Sequence, residues 1–333
     1  MQRDPFQLSA TPDRIRALYS ARALKPSAAR RALELSTASP PREAWRAFLA
    51  RGFLLVGAAL VLAGILFFFA YNWADLGRFA KFALILCGIV AAVVGAWEWG
   101  ERIAGQVSLM AAAVLVGALL AVYGQVYQTG ADRYELFAAW ALLVLPWVAG
   151  SRFQAAWLLL VALVDVAVCL YWGEMLEGAS DDVQIAVALV LFAIDGAAWL
   201  GCELFARRFR WLEPRWLARL FATATFAPVL LVAVALVVDH EVRGASAVLC
   251  LIAVLATSGA VLALRSRGER RDLYLVALAL ASLAVLLGNF VGELLFEQAG
   301  MREGGVLLMG LVVVAEVAAL VAILRRIARA GEA

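Results

Sequence analysis

Histidine is almost missing. The 333-residue chain has one, His240, between Asp239 and Glu241. A two-histidine zinc motif is therefore excluded, and a histidine-based triad has a single candidate. His240 falls in a loop, where an ordinary solvated histidine is expected. Cysteine is scarce as well. Cys87, Cys169, Cys202 and Cys250 all fall in apolar runs without C-x-x-C spacing, so free thiols among helices are expected, not a disulfide framework or a zinc site. Lysine occurs twice against 27 arginines, a skew read as genome base composition and not as a nucleic-acid surface. No GxxxxGK[ST], HExxH or GxSxG segment is present, so no enzyme, no metal and no cofactor is expected. Charge itself is thin. Only 17% of residues are charged and 65% are hydrophobic, where a soluble domain has about a quarter charged and about half apolar.

What is there instead is a series of apolar runs. A hydrocarbon core about 30 Å thick needs roughly 20 helical residues. Runs of about that length occupy 53–71, 79–97, 107–127, 136–149, 155–172, 183–202, 220–238, 245–264, 273–291 and 306–324. The fold class expected is all-α: a polytopic transmembrane helix bundle of about ten spans. The fourth run is short and holds Pro146, which makes it the candidate for a tilted, re-entrant or miscounted span.

Charge along the loops orients the bundle, because Lys and Arg gather on the cytoplasmic side. With ten spans, only Arg78, Lys81, Arg133, Arg243 and Arg302 of the 29 basic residues fall on one side. Both termini are thus expected inside, in a bacterial inner membrane. Residues 1–51 form a basic cytoplasmic helical segment, 52–325 the transmembrane domain and 326–333 a short cytoplasmic tail. Residues 1–51 are polar, with no apolar core for a cleavable signal peptide. Thr11-Pro12-Asp13 has the pattern of a helix start, with Ile15, Leu18 and Tyr19 on one face, and a second helix is expected over 27–35. No internal repeat is evident.

The loop after the sixth run, RRFRWLEPRWLARL, alternates arginines with Trp211, Leu212, Trp216 and Leu217, a pattern suited to the headgroup layer. On the opposite side, Glu174, Glu177, Asp181 and Asp182 form a loop without a cation that could attract one.

Three acids lie within runs: Asp165, Asp195 and Glu316. Each is about 15–18 Å from its span's start, near the midplane. A charged carboxylate there costs about 2.5–3.5 kcal/mol on insertion scales. Such acids are expected to hold a proton and to exchange it where water reaches them, which makes them candidates for a proton or cation relay. Neutral carboxyls bridging helices are the structural alternative. The fifth and sixth runs are joined by a short loop, so Asp165 and Asp195 are expected to approach each other.

The third run ends in a polar, aromatic stretch, GQVYQTGADRYELFAAWALLVLPW at 124–147. Gly117, Ala121 and Gly124 share a face that lets a neighbouring backbone come close. Thr129-Gly130 reads as a helix stop, and Asp132 with Glu135 has capping-box spacing. Gln125 and Gln128 are not explained by a turn; they either line a cavity or bond Asn72 and Trp73 at the end of the first run.

This stretch and AYNWADLGRFAKFAL at 70–84 resemble the bacterial membrane proteins catalogued as domain of unknown function 2157 (DUF2157). The resemblance covers roughly the first half of the chain and rests on Asn72, Trp73, Gly124, Gln125, Tyr127, Gln128, Gly130, Ala131 and Asp132. It implies a polar helical segment followed by membrane spans and assigns no catalytic residue. The function expected is transport or permeation of a small solute or ion, with a non-transporting sensor, scaffold or envelope-assembly protein as the alternative. The partners expected are the lipid bilayer, such a solute or ion, and other membrane proteins, with no nucleic acid.

Overall fold

The computed structural model describes residues 10–21, 23–37, 42–71, 76–176, 178–239, 242, 244–265, 272–298 and 303–329. Asn72, Trp73 and His240 lie outside these. Every regular element among the described residues is helical.

Two short helices come first, α1 (Pro12–Ser20) and α2 (Pro26–Thr37). Thr11 is the N-cap and Pro12 opens the helix, but the threonine side chain makes no capping bond. The two helices pack as a small hairpin around Ile15 and Ala29, while Leu18 and Tyr19 stay exposed.

The long helices follow: α3 (Arg42–Tyr71), α4 (Arg78–Trp99), α5 (Ile103–Tyr127), α6 (Arg133–Gly150) and α7 (Gln154–Met175). A short α8 (Asp181–Ile185) leads into α9 (Val187–Phe205), and then come α10 (Trp216–Val238), α11 (Ala245–Arg265), α12 (Leu273–Glu293) and α13 (Glu303–Arg329). Among the described residues, nine of the helical stretches are long and apolar enough to cross a membrane, α8 and α9 counting as one.

The tenth expected crossing, α6, falls short of that criterion because Arg133 and Glu135 occupy its first turn. It is nevertheless one continuous helix through Pro146. Its start meets the end of α7 through Arg133 and Glu174, and its end joins the α4–α5 turn and the start of α7 around Glu101, Ser151 and Arg152. It therefore runs the length of its neighbours. Eighteen residues at 1.5 Å each give about 27 Å, close to a hydrocarbon core.

α3 is continuous from Arg42, so its first turns, with Trp45 edge-on to Phe48 at 5.8 Å, extend the first span without a break at residue 51. α10 is the hub. It packs on α7, α9, α11 and α12 and buries Leu217, Phe221, Thr225, Phe226, Val229 and Ala233. α3 and α13 are peripheral, with no residue of their most apolar stretches buried. Their outward Leu60, Phe67, Leu311 and Val314 form the surface that faces acyl chains. Lipid tails are as apolar as leucine, so packing of small residues and internal hydrogen bonds hold such helices together.

The α5–α6 seam illustrates this. The Trp140 indole N–H donates to the Ala113 carbonyl at 2.8 Å, and its ring lies over Gly117, where a Cβ would overlap it. A close approach at Gly117 is as expected, but the neighbour is an indole side chain and not a backbone.

Candidate functional site

Asp165 sits midway along α7, and Asp195 midway along α9. These helices pack together. Asp195 is buried and feels the charge of Asp165; Cys169, one turn on from Asp165, feels it too. Asp165 is half-buried, and its Oδ1 is enclosed without a hydrogen-bond partner among the described residues. The packing of α7 on α9 places the two acids within electrostatic range of each other.

Glu316 is elsewhere. α13 packs on α12, and Glu316 lies over Gly288, where an added Cβ would stand 3.2 Å from Oε2. Its Oε1 is enclosed without a partner. Equal depth along different helices does not make one site: the three acids divide into an α7–α9 pair and a single carboxyl on the α12–α13 seam.

The polar motif between α5 and α6 is a turn. Gln128 takes the left-handed conformation (φ 48°, ψ 49°) and caps α5, its N–H donating to the Gly124 carbonyl. Gly130 follows at φ 65°, so two left-handed residues reverse the chain, and the glycine takes this conformation without strain. Asp132 is the N-cap of α6, but its side chain accepts no capping bond. The capping box is thus not formed: both Asp132 and Glu135 are exposed, and their carboxylates are left to water. Tyr127 stacks on Phe82 of α4 at 6.1 Å and meets Tyr123 at 4.8 Å with the rings tilted by 44°. Gln125 and Gln128 are exposed, which argues against their lining an enclosed cavity.

The acidic loop at this end is engaged by the protein. Arg133 Nε donates to Glu174 Oε1 at 2.5 Å. Asp182 Oδ1 accepts from the Ser246 N–H at 2.7 Å and so caps the start of α11. Each of these two acids therefore has one oxygen engaged within the chain.

At the opposite end, sequence reasoning missed an ionic network. Glu203, at the end of α9, holds Arg215 at 2.5 Å through Oε1 and Arg265 at 2.6 Å through Oε2. Asp272, whose side chain is 1% exposed, accepts from the Tyr274 N–H at 3.0 Å and from Arg219 at 3.3 Å. Arg215 Nε lies 3.3 Å from Asp272 Oδ2, an ionic contact whose direction is not that of a hydrogen bond. Arg215 thus links both acids, and α9, α10, α11 and α12 are tied together. The available signal was two acids, Glu203 and Asp272, beside loops rich in arginine.

The arginine-rich loop itself packs inward. Leu212 and Leu217 are buried, and Trp211 stacks on Trp157 at 6.3 Å. Gln154 Nε2 donates to the Trp211 and Pro214 carbonyls at 2.8 and 2.9 Å. Of the residues expected at the headgroup layer, Trp216 and Arg207, Arg208, Arg210 and Arg219 are left exposed, Arg219 while reaching Asp272. Hydrogen bonds and stacking fix the rest to the bundle. Among the described residues, no group of His, Cys, Asp and Glu could hold a metal ion.

The α5–α6 turn and the helices around it coincide with a known family: the model of DUF2157, described as a predicted membrane protein, matches residues 16–157. That stretch, under half of the chain, is similar to DUF2157. The DUF2157 match contains α2 to α6 and the Gly124–Asp132 turn, and ends at the start of α7. The α7–α9 acid pair and the ionic network lie almost wholly beyond it. No curated protein matches the chain significantly, and no solved structure does. The protein is a multi-pass membrane protein with broad contact to the lipid bilayer.

Proposed function

We propose that the protein moves a small solute or ion across the bacterial inner membrane, with Asp165 and Asp195 exchanging the proton or cation that accompanies it. The observation that carries this reading is the juxtaposition of the two carboxyls in the middle of the bundle, one with an oxygen left unpartnered. Acids at that depth are costly and by default mark an ion pathway. Two carboxyls close enough to interact titrate as a coupled pair, which suits an exchange site. Both termini face the cytoplasm, in line with the gathering of arginines at the end that holds Arg207, Arg215 and Arg265. No bond-making chemistry is assigned to the chain.

A second reading, a non-transporting sensor, scaffold or envelope-assembly protein in contact with other membrane proteins, is favoured by a different observation. Three cavities at the arginine-rich end and two on the flanks are lined by other residues, not by Asp165 or Asp195.

Proteoliposomes separate the two. Under an imposed potassium diffusion potential, an internal pH dye should report proton entry with the wild-type protein. Asp165→Asn and Asp195→Asn should abolish it, and Glu316→Gln should leave it. A protein-independent rate, or equal rates in all four proteins, would sink the transport reading. An infrared carboxyl band that responds to pH and disappears in both Asn variants would establish proton exchange at the pair without any substrate.

A further inference from the structure

α9 and α11 both lie on α10 but barely touch each other. Small side chains on the facing walls, Ala193 and Ala197 on α9 and Ala256 and Ala260 on α11, leave a groove of about 590 Å³ between them, floored by Thr225 of α10. Its walls are otherwise apolar apart from Thr257 and, at one end, Glu203 and Arg265. At the arginine-rich end it runs into a second cavity of about 660 Å³; Leu200, Glu203 and Arg265 line both. Arg207, Arg215 and Glu213 also line the second cavity. The charges there are unequal. Glu203 is occupied by Arg215 and Arg265, and Glu213 lies 3.9 Å from Arg210, which leaves Arg207 as a surplus cation among the described residues that line the cavity. Trp199, 8% exposed, lines the groove one turn before Glu203.

We infer that this composite cleft binds one anionic phospholipid, an acyl chain lying between α9 and α11 and the phosphate meeting Arg207 at the mouth of the second cavity. The shape suits a lipid: a long apolar slot with one cationic end, set at the end of a membrane helix where headgroups lie. An arginine fork binds phosphate in two-point geometry, which a zwitterionic headgroup, carrying its own cation, satisfies less well. Arg215 and Arg265 are held by Glu203 and shape the cavity, so Arg207 is expected to provide the charge selectivity. The inference does not depend on transport.

The full-length protein, stripped of lipid in a mild non-ionic detergent, is titrated with phosphatidylglycerol or phosphatidylcholine in mixed micelles, and bound lipid is counted by native mass spectrometry. One phosphatidylglycerol should bind with a preference of about tenfold over phosphatidylcholine, the size expected of one charge-assisted contact. Arg207→Gln, a change at an exposed side chain, should bring that preference close to one. Ala260→Phe should fill the groove and lower occupancy by both lipids. Inorganic phosphate at the same concentration should not displace the lipid. Equal binding of the two lipids by the wild type, a preference that survives Arg207→Gln, occupancy that survives Ala260→Phe, or displacement by inorganic phosphate would each overturn the proposal.

Discussion

The Trp140 indole lies flat over Gly117 and bonds the carbonyl of Ala113, one turn earlier on the same helix. One side chain thereby sets both the spacing and the register of α5 against α6. In a bilayer this counts for more than apolar area, because separating the helices exposes them to lipid and not to water. Gly117→Ala would place a methyl inside the indole ring. It should destabilise the bundle by about 1–3 kcal/mol, the usual range for overpacking. Trp140→Phe should cost less, about 0.6–1.5 kcal/mol for the lost hydrogen bond and the smaller ring. Denaturant titration in detergent micelles reads both, and a neutral Gly117→Ala would show that α6 is free to move away.

Asp272 and Arg219 pose a harsher constraint. The carboxylate is nearly inaccessible and is held by one backbone N–H and two arginines. Removing one partner of such a group leaves the others uncompensated, at a cost of about 3–5 kcal/mol when fully buried. The arginines here are partly exposed, so Asp272→Ala should fall at the lower end of that range. Asp272→Asn should be milder, since the amide oxygen can still accept from Tyr274. Melting temperature by intrinsic tryptophan fluorescence distinguishes the two. A loss under about 1 kcal/mol for Asp272→Ala would mean that water replaces the carboxylate, as at exposed pairs.

At the opposite end, Asp182 caps a helix 64 positions further along the chain, through the Ser246 N–H. Asp182→Ala should cost about 1 kcal/mol, the usual value of an N-cap. The effect should be local: faster amide exchange in the first turn of α11, with α12 unchanged. Gly244 sits against the same carboxylate so closely that a Cβ there would collide with it, and Gly244→Ala should raise exchange in the same amides. Faster exchange spread through the bundle would show that the cap supports more than its own helix.

The residues that could be read from sequence are those whose role is local. Apolar runs of helical length give the spans, because a backbone in lipid must satisfy its own hydrogen bonds. Proline after threonine starts α1, and left-handed Gln128 and Gly130 close α5 within a few residues of where the motif suggested. Roles that depend on distant partners were not legible. Glu203 and Asp272 are two acids among many until α9, α11 and α12 converge. Glu174 and Asp182 looked like a free acidic loop until Arg133 and the start of α11 came to meet them. The RRFRWLEPRWLARL loop shows the same limit. Its composition suits a membrane surface, yet Gln154 and Trp157, more than fifty residues earlier, decide that it packs on the protein.

Depth is likewise a local reading, and the three midplane acids show what it omits. Asp165 and Asp195 share one seam, and Glu316 occupies another. Residues in contact couple by about 0.5–3 kcal/mol, whereas distant ones add to within about 0.3–0.5 kcal/mol. A double-mutant cycle on stability therefore tests the arrangement without any transported substrate. Asp165→Asn and Asp195→Asn should be non-additive, because each substitution changes what the other carboxyl meets. Asp165→Asn combined with Glu316→Gln should be additive. The sign carries the mechanism. If the pair shares a proton in a hydrogen bond, each single Asn substitution should destabilise and the double should lose less than the sum. If two charges merely repel, each single should stabilise. Additivity between Asp165 and Asp195 would separate the pair, and coupling of either one to Glu316 would join seams that the helix packing keeps apart.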